Sequence, residues 1–225
     1  MRYRSAPLTA LLLGLLLTAT LAVPALALQD SDRDGLPDAV EEQLATDPEV
    51  AEALQPIGTF TRPEGPQAEL KFARVELANV AKDRWLWAFH FQKPYTLANA
   101  SLILYLDADN NPKTGRTGMG CEYMLTHSEG QPGLAAFAPD SSAAEGTLPR
   151  VALYDGVLYL CADCPLKQEK GQSVFRYSLL SETRQPYATA DSTGWVEAKG
   201  PPNSDRKAVL TLDALTSDLN FRKTE

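Results

Sequence analysis

Short runs of apolar and aromatic residues recur along the chain from Ala68 onward, and glycine, proline, asparagine or aspartate separates each run from the next. Runs of this length between turn residues are typical of the strands of a sandwich or barrel. The pattern therefore predicts an all-β domain over residues 67–215, an antiparallel β-sandwich of about nine or ten strands. Its Asp155-Gly156 pair is of the kind that closes a tight hairpin. The predicted strands are Leu70–Leu77, Trp85–Phe91, Leu102–Leu106, Cys121–Thr126, Leu134–Ala138, Val151–Tyr154, Val157–Cys161, Val174–Leu180, Trp195–Ala198 and Ala208–Leu212.

One of these runs places four aromatic rings on the same face of a strand. A period of two brings Trp85, Trp87, Phe89 and Phe91 together, and His90 falls on the opposite face. Such a row forms either part of the core or a platform on which sugar rings stack, and its apolar character favours the core.

The first residues have the features of a secretory signal peptide. Arg2 and Arg4 give a positive start, an uncharged leucine-rich stretch follows, and Ala25-Leu26-Ala27 has the small-x-small pattern of a cleavage site. An uncleaved anchor is the alternative, because the uncharged run 5–29 is long enough to span a bilayer. We expect cleavage after residue 27, and therefore a secreted, periplasmic or cell-surface protein with no membrane span.

The remaining segments differ from the predicted sandwich in composition. Residues 28–55 are acidic and carry a helical pattern, residues 56–66 are rich in proline and glycine and are predicted to be a linker, and residues 216–225 form a C-terminal tail. The chain has 29 acidic and 21 basic side chains, a net charge of −8. This charge argues against a nucleic-acid partner, whose phosphates require a basic patch.

The strongest chemical feature is an acidic loop that starts at Asp30. Carboxylates occupy positions 1, 3, 5, 9 and 12 of the loop, and Gly35 occupies position 6, where it permits a sharp turn. Calcium takes about six to eight oxygen ligands, and alternating acids in a tight loop turn toward one point. The loop thus predicts a calcium site. Its predicted ligands are Asp30, Asp32, Asp34, the backbone carbonyl of Leu36, Asp38 (through a water, or else as a helix cap) and Glu41.

The sequence around this loop suggests a family. Only Leu28 and Gln29 would precede it after cleavage, so a complete helix–loop–helix EF-hand cannot form. The run DSDRDGLPDAVEEQLATDP resembles the bacterial thrombospondin type 3 calcium repeats, which share D-x-D-x-D-G-L-x-D-x-x-E followed by Thr-Asp-Pro. The resemblance covers residues 30–48 in a single copy. It implies an EF-hand-like calcium loop in a spacer beside an adhesive or enzymatic module, with a dissociation constant of roughly 10⁻⁴ to 10⁻³ M.

A second group of oxygen-bearing side chains follows a predicted central strand. Asp107, Asp109 and Asn111 alternate in a loop, and Glu122 on the next predicted strand can join them to hold a second, weaker calcium ion. A plain turn is the alternative, because aspartate and asparagine are ordinary turn formers and Pro112 replaces the glycine at position 6.

The same region resembles the family 9 carbohydrate-binding modules and the DOMON domains, which carry L-Y-x-D-x-D-N-N-P-x-T-G and then G-x-(D/E)-Y on the next strand. The resemblance covers residues 67–126 and implies a sandwich that binds a sugar or a cofactor on one sheet. The matching residues are Tyr105, Asp107, Asp109, Asn110, Asn111, Pro112, Thr114, Gly115, Gly120, Glu122 and Tyr123. Sugars stack on exposed aromatic rings, and the candidates for that role are Trp85, Trp87, Tyr123, Trp195 and Tyr187.

The chain contains three cysteines, an odd number for an exported protein. Cys161 and Cys164 form a C-x-x-C pair, for which we predict a local disulfide, with a bond from either one to Cys121 as the alternative. A zinc site that adds His127 is chemically conceivable, although the spacing matches no familiar zinc pattern.

The sequence contains neither a G-x-S-x-G nor an H-E-x-x-H motif. We therefore expect a non-catalytic exported protein that binds calcium, with a sandwich that binds a ligand such as a glycan. One alternative is an accessory or catalytic domain of a secreted carbohydrate-active enzyme, since the paired carboxylates of glycoside hydrolysis need not be close in sequence. Another is a structural or adhesive protein with a cell-surface partner.

Overall fold

The computed structural model describes residues 28–96 and 98–207. The predicted signal peptide, the predicted strand Ala208–Leu212 and the predicted tail lie outside the described residues. Within them, one α-helix, α1 (Asp38–Leu44), and one 3₁₀ turn (Ala68–Leu70) accompany twelve strands. The strands are β1 (Gln55–Thr59), β2 (Phe72–Ala81), β3 (Arg84–Phe91), β4 (Ala100–Asp107), β5 (Tyr123–Ser128), β6 (Gln131–Phe137), β7 (Ala143–Ala144), β8 (Arg150–Tyr154), β9 (Val157–Asp163), β10 (Gln168–Glu169), β11 (Gln172–Arg184) and β12 (Tyr187–Gly200).

These strands form two antiparallel sheets. The five-stranded sheet has the order β1-β2-β3-β9-β8. The seven-stranded sheet has the order β10-β11-β4-β5-β6-β7, and β12 also pairs with β11. The prediction of an antiparallel β-sandwich is confirmed. No helix of the described part is long and apolar enough to cross a membrane.

The strand count is higher than predicted because three strands lack an apolar run. β7 and β10 have two residues each, too few to show any period. β1 lies in what we predicted to be a linker, yet it pairs along β2 from Gln55 opposite Leu77 to Thr59 opposite Arg74. The linker prediction is therefore wrong for its first residues. Gly58 matters here, because a Cβ at this position would lie 2.1 Å from the hydroxyl oxygen of Tyr177.

The main core lies between the two sheets. Alternate residues of the central strands point inward and are fully buried, as the period-two pattern requires. The ring of Trp87 on β3 meets Phe175 and Tyr177 of β11 edge-on, with centroids 5.7 and 6.2 Å apart. The core assignment of the aromatic row is therefore confirmed. The largest fully buried side chains are Trp85, Trp87, Tyr177, Phe72, Phe89, Phe175, Leu44, Leu77, Leu86, Leu102, Leu104 and Leu106.

The predicted hairpin is also present. Strands β8 and β9 pair from Tyr154 opposite Val157 back to Arg150 opposite Cys161. Asp155 and Gly156 both have positive φ, 47° and 75°. Positive φ at both central positions is what a two-residue turn of this type needs, and the Asp-Gly pair supplies it.

A second apolar cluster covers the outer face of the five-stranded sheet. We call it the outer cluster. Two of its members come from the N-terminal segment, residues 28–54, which contains the acidic loop and α1. This segment thus packs on the sheet, and the packing fixes the position of the acidic loop. The buried members are Leu36, Leu44, Ala78, Leu86, Ala88, Ala152, Tyr159 and Cys161.

Candidate metal centre

The acidic loop is shaped by its own carboxylates. Asp30 accepts hydrogen bonds from the backbone N–H groups of Arg33 at 2.7 Å and Gly35 at 3.1 Å. Asp32 accepts one from the N–H of Asp34 at 3.1 Å, and Asp34 accepts one from Leu36 at 2.8 Å. These short-range bonds are the turns that aspartate commonly makes with the backbone after it. They turn the chain sharply through Gly35, whose φ is 100°.

Four carboxylates meet on the inner side of this turn. Asp32, Asp34, Glu41 and Glu52 each present an oxygen, and these four oxygens lie within 4.8 Å of one another. Glu41 comes from α1, whereas Glu52 comes from the segment that leads into β1. The backbone N–H of Glu52 donates to the carboxylate of Asp34 at 2.9 Å, which ties that segment to the loop.

The burial of these groups is unusual for acids. Glu41 is 0 % exposed and Glu52 is 7 % exposed. With all four carboxylates ionised, neither oxygen of Glu41 has a hydrogen-bond donor among the described residues, and Glu52 Oε2 and Asp32 Oδ2 also lack one. Among these residues, only a protonated Glu52 would donate to Glu41. Buried polar groups are nearly always hydrogen-bonded, and a buried charge requires a counter-charge or a metal ion. The carboxylates of this cluster must therefore be neutralised by protons or by a cation.

The pKa values follow from this crowding. Burial, and then the charges of Asp32 and Asp34, raise the pKa of Glu41 to about 7. Burial, and then the charges of Glu41 and Asp34, raise the pKa of Glu52 to about 9. Without a cation, Glu52 is protonated at neutral pH and Glu41 is partly protonated, because their ionised forms repel their neighbours. A divalent cation at the centre would favour the ionised forms, so cation binding should release protons.

The structure gathers only part of the predicted ligand set. Asp32, Asp34 and Glu41 lie in the four-carboxylate group, whereas Asp30 and Asp38 lie outside it. The two oxygens of Asp38 accept hydrogen bonds from the N–H and the hydroxyl of Ser31, at 2.7 and 2.8 Å, and its role through a water stays a prediction. Asp38 therefore closes the start of the loop.

The member of the four-carboxylate group that sequence analysis missed is Glu52. It lies outside the twelve-residue motif, and no spacing rule for such loops points to it. The backbone carbonyl of Leu36 remains a predicted ligand. The side chain of Leu36 is buried in the outer cluster.

The second predicted cluster has a different environment. Oxygens of Asp107, Asp109 and Glu122 also lie within 4.8 Å of one another. Asp107 is fully buried, but one of its oxygens pairs with the guanidinium of Arg176 at 2.6 and 2.7 Å. Its other oxygen accepts the backbone N–H of Asn111 at 2.8 Å. A cation is therefore already present at this cluster, supplied by strand β11.

The other members of that cluster are also bonded within the chain. Both oxygens of Asp109 lie within hydrogen-bond distance of the hydroxyl of Thr114, at 3.1 and 3.0 Å. Glu122 accepts the backbone N–H of Ala108 at 2.8 Å and retains one unpartnered oxygen. The side-chain oxygen of Asn111 accepts the backbone N–H of Lys113 at 3.2 Å. These contacts favour the plain-turn interpretation over a second calcium site.

The sugar-stacking prediction is wrong for two residues. Trp85 and Trp87 are 0 % exposed, because their side of β3 faces the seven-stranded sheet. Tyr123 is half-buried and packs against the main core. Trp195 is 40 % exposed, and the guanidinium carbon of Arg176 lies 5.0 Å from the centre of its ring. Of the five candidates, Trp195 and Tyr187, the latter 66 % exposed, present accessible rings.

The predicted disulfide is also absent, since all three cysteines are free and buried. Cys161 lies in the outer cluster, whereas Cys164 lies in the main core between the sheets. Their side chains therefore point to opposite sides of the sheet, and a bond between them would require the backbone to move. Among the described residues, both groups that could hold a metal consist of carboxylates alone, which does not favour zinc.

Within the described residues, the N-terminal four-carboxylate cluster thus combines converging acids, burial and unpartnered oxygens. Comparisons with protein-family models, with curated proteins and with solved structures found no match for this chain.

Proposed function

We propose that this protein is an exported, non-catalytic calcium-binding protein whose β-sandwich carries a ligand-binding surface. The ion would be held by Asp32, Asp34, Glu41 and Glu52. The observation that carries the proposal is the carboxylate of Glu41, fully buried without a hydrogen-bond partner and surrounded by three further acids. Burying such a group costs several kcal/mol unless a cation compensates it.

The chemistry of the cluster favours calcium over other common metals. All side-chain donors are carboxylate oxygens, which are hard ligands, whereas zinc and copper sites generally include nitrogen or sulfur. Four carboxylates together offer up to about eight oxygens, which matches the coordination number of calcium. Magnesium needs a near-ideal octahedron and keeps several waters, which suits a loop with converging carboxylates less well.

Export is supported by the sequence of the first 27 residues and by the class of site. Extracellular calcium sites often work with dissociation constants of roughly 10⁻⁴ to 10⁻³ M. The mass of the purified exported protein tests the proposal directly, because cleavage after Ala27 makes Leu28 the first residue. A mature protein that retains the leucine-rich stretch would contradict cleavage.

Calorimetry tests the calcium site. We expect chelator-stripped protein to bind one calcium ion, and the Glu41→Gln variant to lose that binding. Glu42→Gln is the matched control, because Glu42 is the exposed neighbour on the same helix. Absence of binding by the wild-type protein at millimolar calcium would refute the proposal.

A glycan remains the second candidate ligand, and the outer face of the seven-stranded sheet is where we place it. The register puts Ser178 opposite both Trp195 on β12 and Tyr105 on β4, so these two rings lie on one face. Tyr187 on the same face is 66 % exposed, and its hydroxyl donates to Glu182 at 2.5 Å. Exposed rings beside polar side chains are suited to stacking on sugars.

Affinity electrophoresis in gels that contain polysaccharides tests this second candidate. We expect Trp195→Ala to abolish any retardation shown by the wild-type protein. Leu148→Ala is the control, because Leu148 is an exposed apolar side chain, 61 % exposed, in the loop between β7 and β8. Retardation that survives in the Trp195 variant would exclude this face as the sugar site.

A further inference from the structure

On the basis of the calcium site proposed above, we propose that Glu52 completes that site from outside the loop. We further propose that the ion thereby latches the N-terminal segment onto the outer face of the five-stranded sheet. Calcium would then control whether this face is covered.

The position of Glu52 supports the first part of the proposal. Its backbone N–H is bonded to Asp34, its side chain is 7 % exposed, and one of its oxygens has no partner among the described residues. It stands three residues before β1, which is an edge strand of the sheet. An ion held by both Asp34 and Glu52 would join the start of the N-terminal segment to the strand at its end.

The packing of α1 supports the second part. Leu36, directly after the turn of the loop, and Leu44, at the end of the helix, insert into the outer cluster. The side-chain amide of Gln43 donates to the backbone carbonyl of Val151 on β8 at 2.8 Å. Glu41 lies on α1, between Leu36 and Leu44 in the chain. Its ligation would therefore fix the helix against β8 and β9.

Removal of the ion has a local consequence. Four carboxylates whose oxygens lie within 4.8 Å of one another then have no cation between them, so they repel one another or take up protons. The acidic loop and the residues that lead into β1 meet at these four carboxylates. The repulsion therefore acts on the N-terminal segment, whereas the main core lies on the other side of the sheet.

A cysteine on the covered face can report whether the N-terminal segment stays in place. Cys161 on β9 is 3 % exposed and belongs to the outer cluster beneath the N-terminal segment. Cys164 is buried on the opposite side, in the main core, and Cys121 is buried outside the outer cluster. If the segment lifts, Cys161 becomes accessible and the other two thiols do not.

Thiol labelling with a maleimide, followed by peptide mass spectrometry, tests the proposal on the mature chain. We expect chelation of calcium to accelerate labelling of Cys161 by at least about tenfold, as a local opening would, with Cys121 and Cys164 unchanged. We expect Glu52→Gln to label Cys161 rapidly even at calcium concentrations that protect the wild type. Glu49→Gln is the control, since Glu49 is an exposed acid of the same segment. The near-ultraviolet circular dichroism of the buried Trp85 and Trp87 checks that each variant is folded.

The outcomes separate the latch from the calcium site itself. Calcium binding in calorimetry with an unchanged Cys161 rate overturns the latch and leaves the proposed function standing. Wild-type calcium affinity in the Glu52→Gln variant overturns the role of Glu52. Equal acceleration of all three thiols also overturns the latch, because the ion would then stabilise the whole sandwich. Absence of calcium binding in the wild type refutes the proposed function as well.

Discussion

Replacement of Glu41 by glutamine should have opposite effects on stability with and without calcium. The side chain is fully buried, and burial with the charges of Asp32 and Asp34 raises its pKa from 4.5 to about 7. In calcium-free protein above pH 7, an ionised Glu41 is therefore a cost, and the neutral amide removes it. In calcium, the same substitution removes a ligand and a charge, so the variant loses the stabilisation that the ion provides.

The size of both effects can be estimated. One pKa unit corresponds to about 1.4 kcal/mol, so the raised pKa of Glu41 sets an upper limit of about 3 kcal/mol. Relaxation of the loop and solvent screening reduce this, and we expect the calcium-free variant to be more stable by about 1–2 kcal/mol at pH 8. Calcium at about 100 times its dissociation constant should stabilise the wild type by about 2.7 kcal/mol and the variant hardly at all. For a domain of this size each kcal/mol shifts the melting temperature by about 2–4 °C.

The pH dependence provides the sign check. Because the folded pKa of Glu41 is raised above its unfolded value, the ionisation penalty is absent below pH 4.5 and complete above about pH 7. The advantage of the calcium-free variant should therefore appear as pH rises through this window. Thermal unfolding followed by circular dichroism at pH 5 and pH 8, with chelator or with 10 mM calcium (a concentration of about 100 times the tighter expected dissociation constant), measures all four states.

Two results would refute this reasoning. A Glu41→Gln variant less stable than the wild type in chelator at pH 8 would mean that the buried carboxylate is not a cost. Equal stabilisation of both proteins by calcium would mean that the ion binds elsewhere. Glu42→Gln should follow the wild type under every condition.

Three further substitutions test other parts of the structure. Ala45→Gly should stabilise the protein by about 0.5–1 kcal/mol in urea unfolding, because residue 45 ends α1 with a φ of 57°, and an unchanged midpoint would contradict this. Arg176→Leu should destabilise it by about 3–5 kcal/mol, because Asp107 is left buried without its partner, and recovery in calcium would reveal a latent second site. Gly58→Ala should cost about 1–3 kcal/mol through overlap with the hydroxyl of Tyr177, and Tyr177→Phe in the same chain should restore part of the loss if that overlap is the cause.

The strands that sequence analysis predicted are those whose pattern is set by burial on one face. Nine predicted strands lie within the described residues, and each corresponds to a strand of the structure. β1 was missed because its pairing with β2 is made by backbone groups, which leave no apolar pattern in a segment with Pro56 and Gly58. The same period-two rule would have argued against the disulfide. Cys161 and Cys164 are three residues apart in an extended segment, which places their side chains on opposite faces.

Sequence analysis predicted some residues of the candidate site and missed another. Asp32, Asp34 and Glu41 were found because a contiguous loop motif requires acids at fixed positions. Glu52 was not, because its contribution depends on how residues 46–54 turn back over the loop. Motif rules describe the spacing of neighbouring residues, whereas the contact between Asp34 and Glu52 joins residues eighteen positions apart. Nothing in the sequence distinguishes a buried acid such as Glu52 from an exposed acid such as Glu49.

The structure also explains how the described residues hold the acidic loop in place. In a helix–loop–helix motif, the two helices hold the ends of the loop. In this chain the sheet takes over that role, because Leu36 and Leu44 anchor the loop and α1 to its outer face. The entering side is closed by Asp38, which bonds Ser31, and Gln29 accepts the N–H of Asp38 at 2.8 Å. An acidic loop attached to a sheet in this way is part of the folded domain, so an ion bound to it would act on the sandwich directly and would do more than stiffen a spacer.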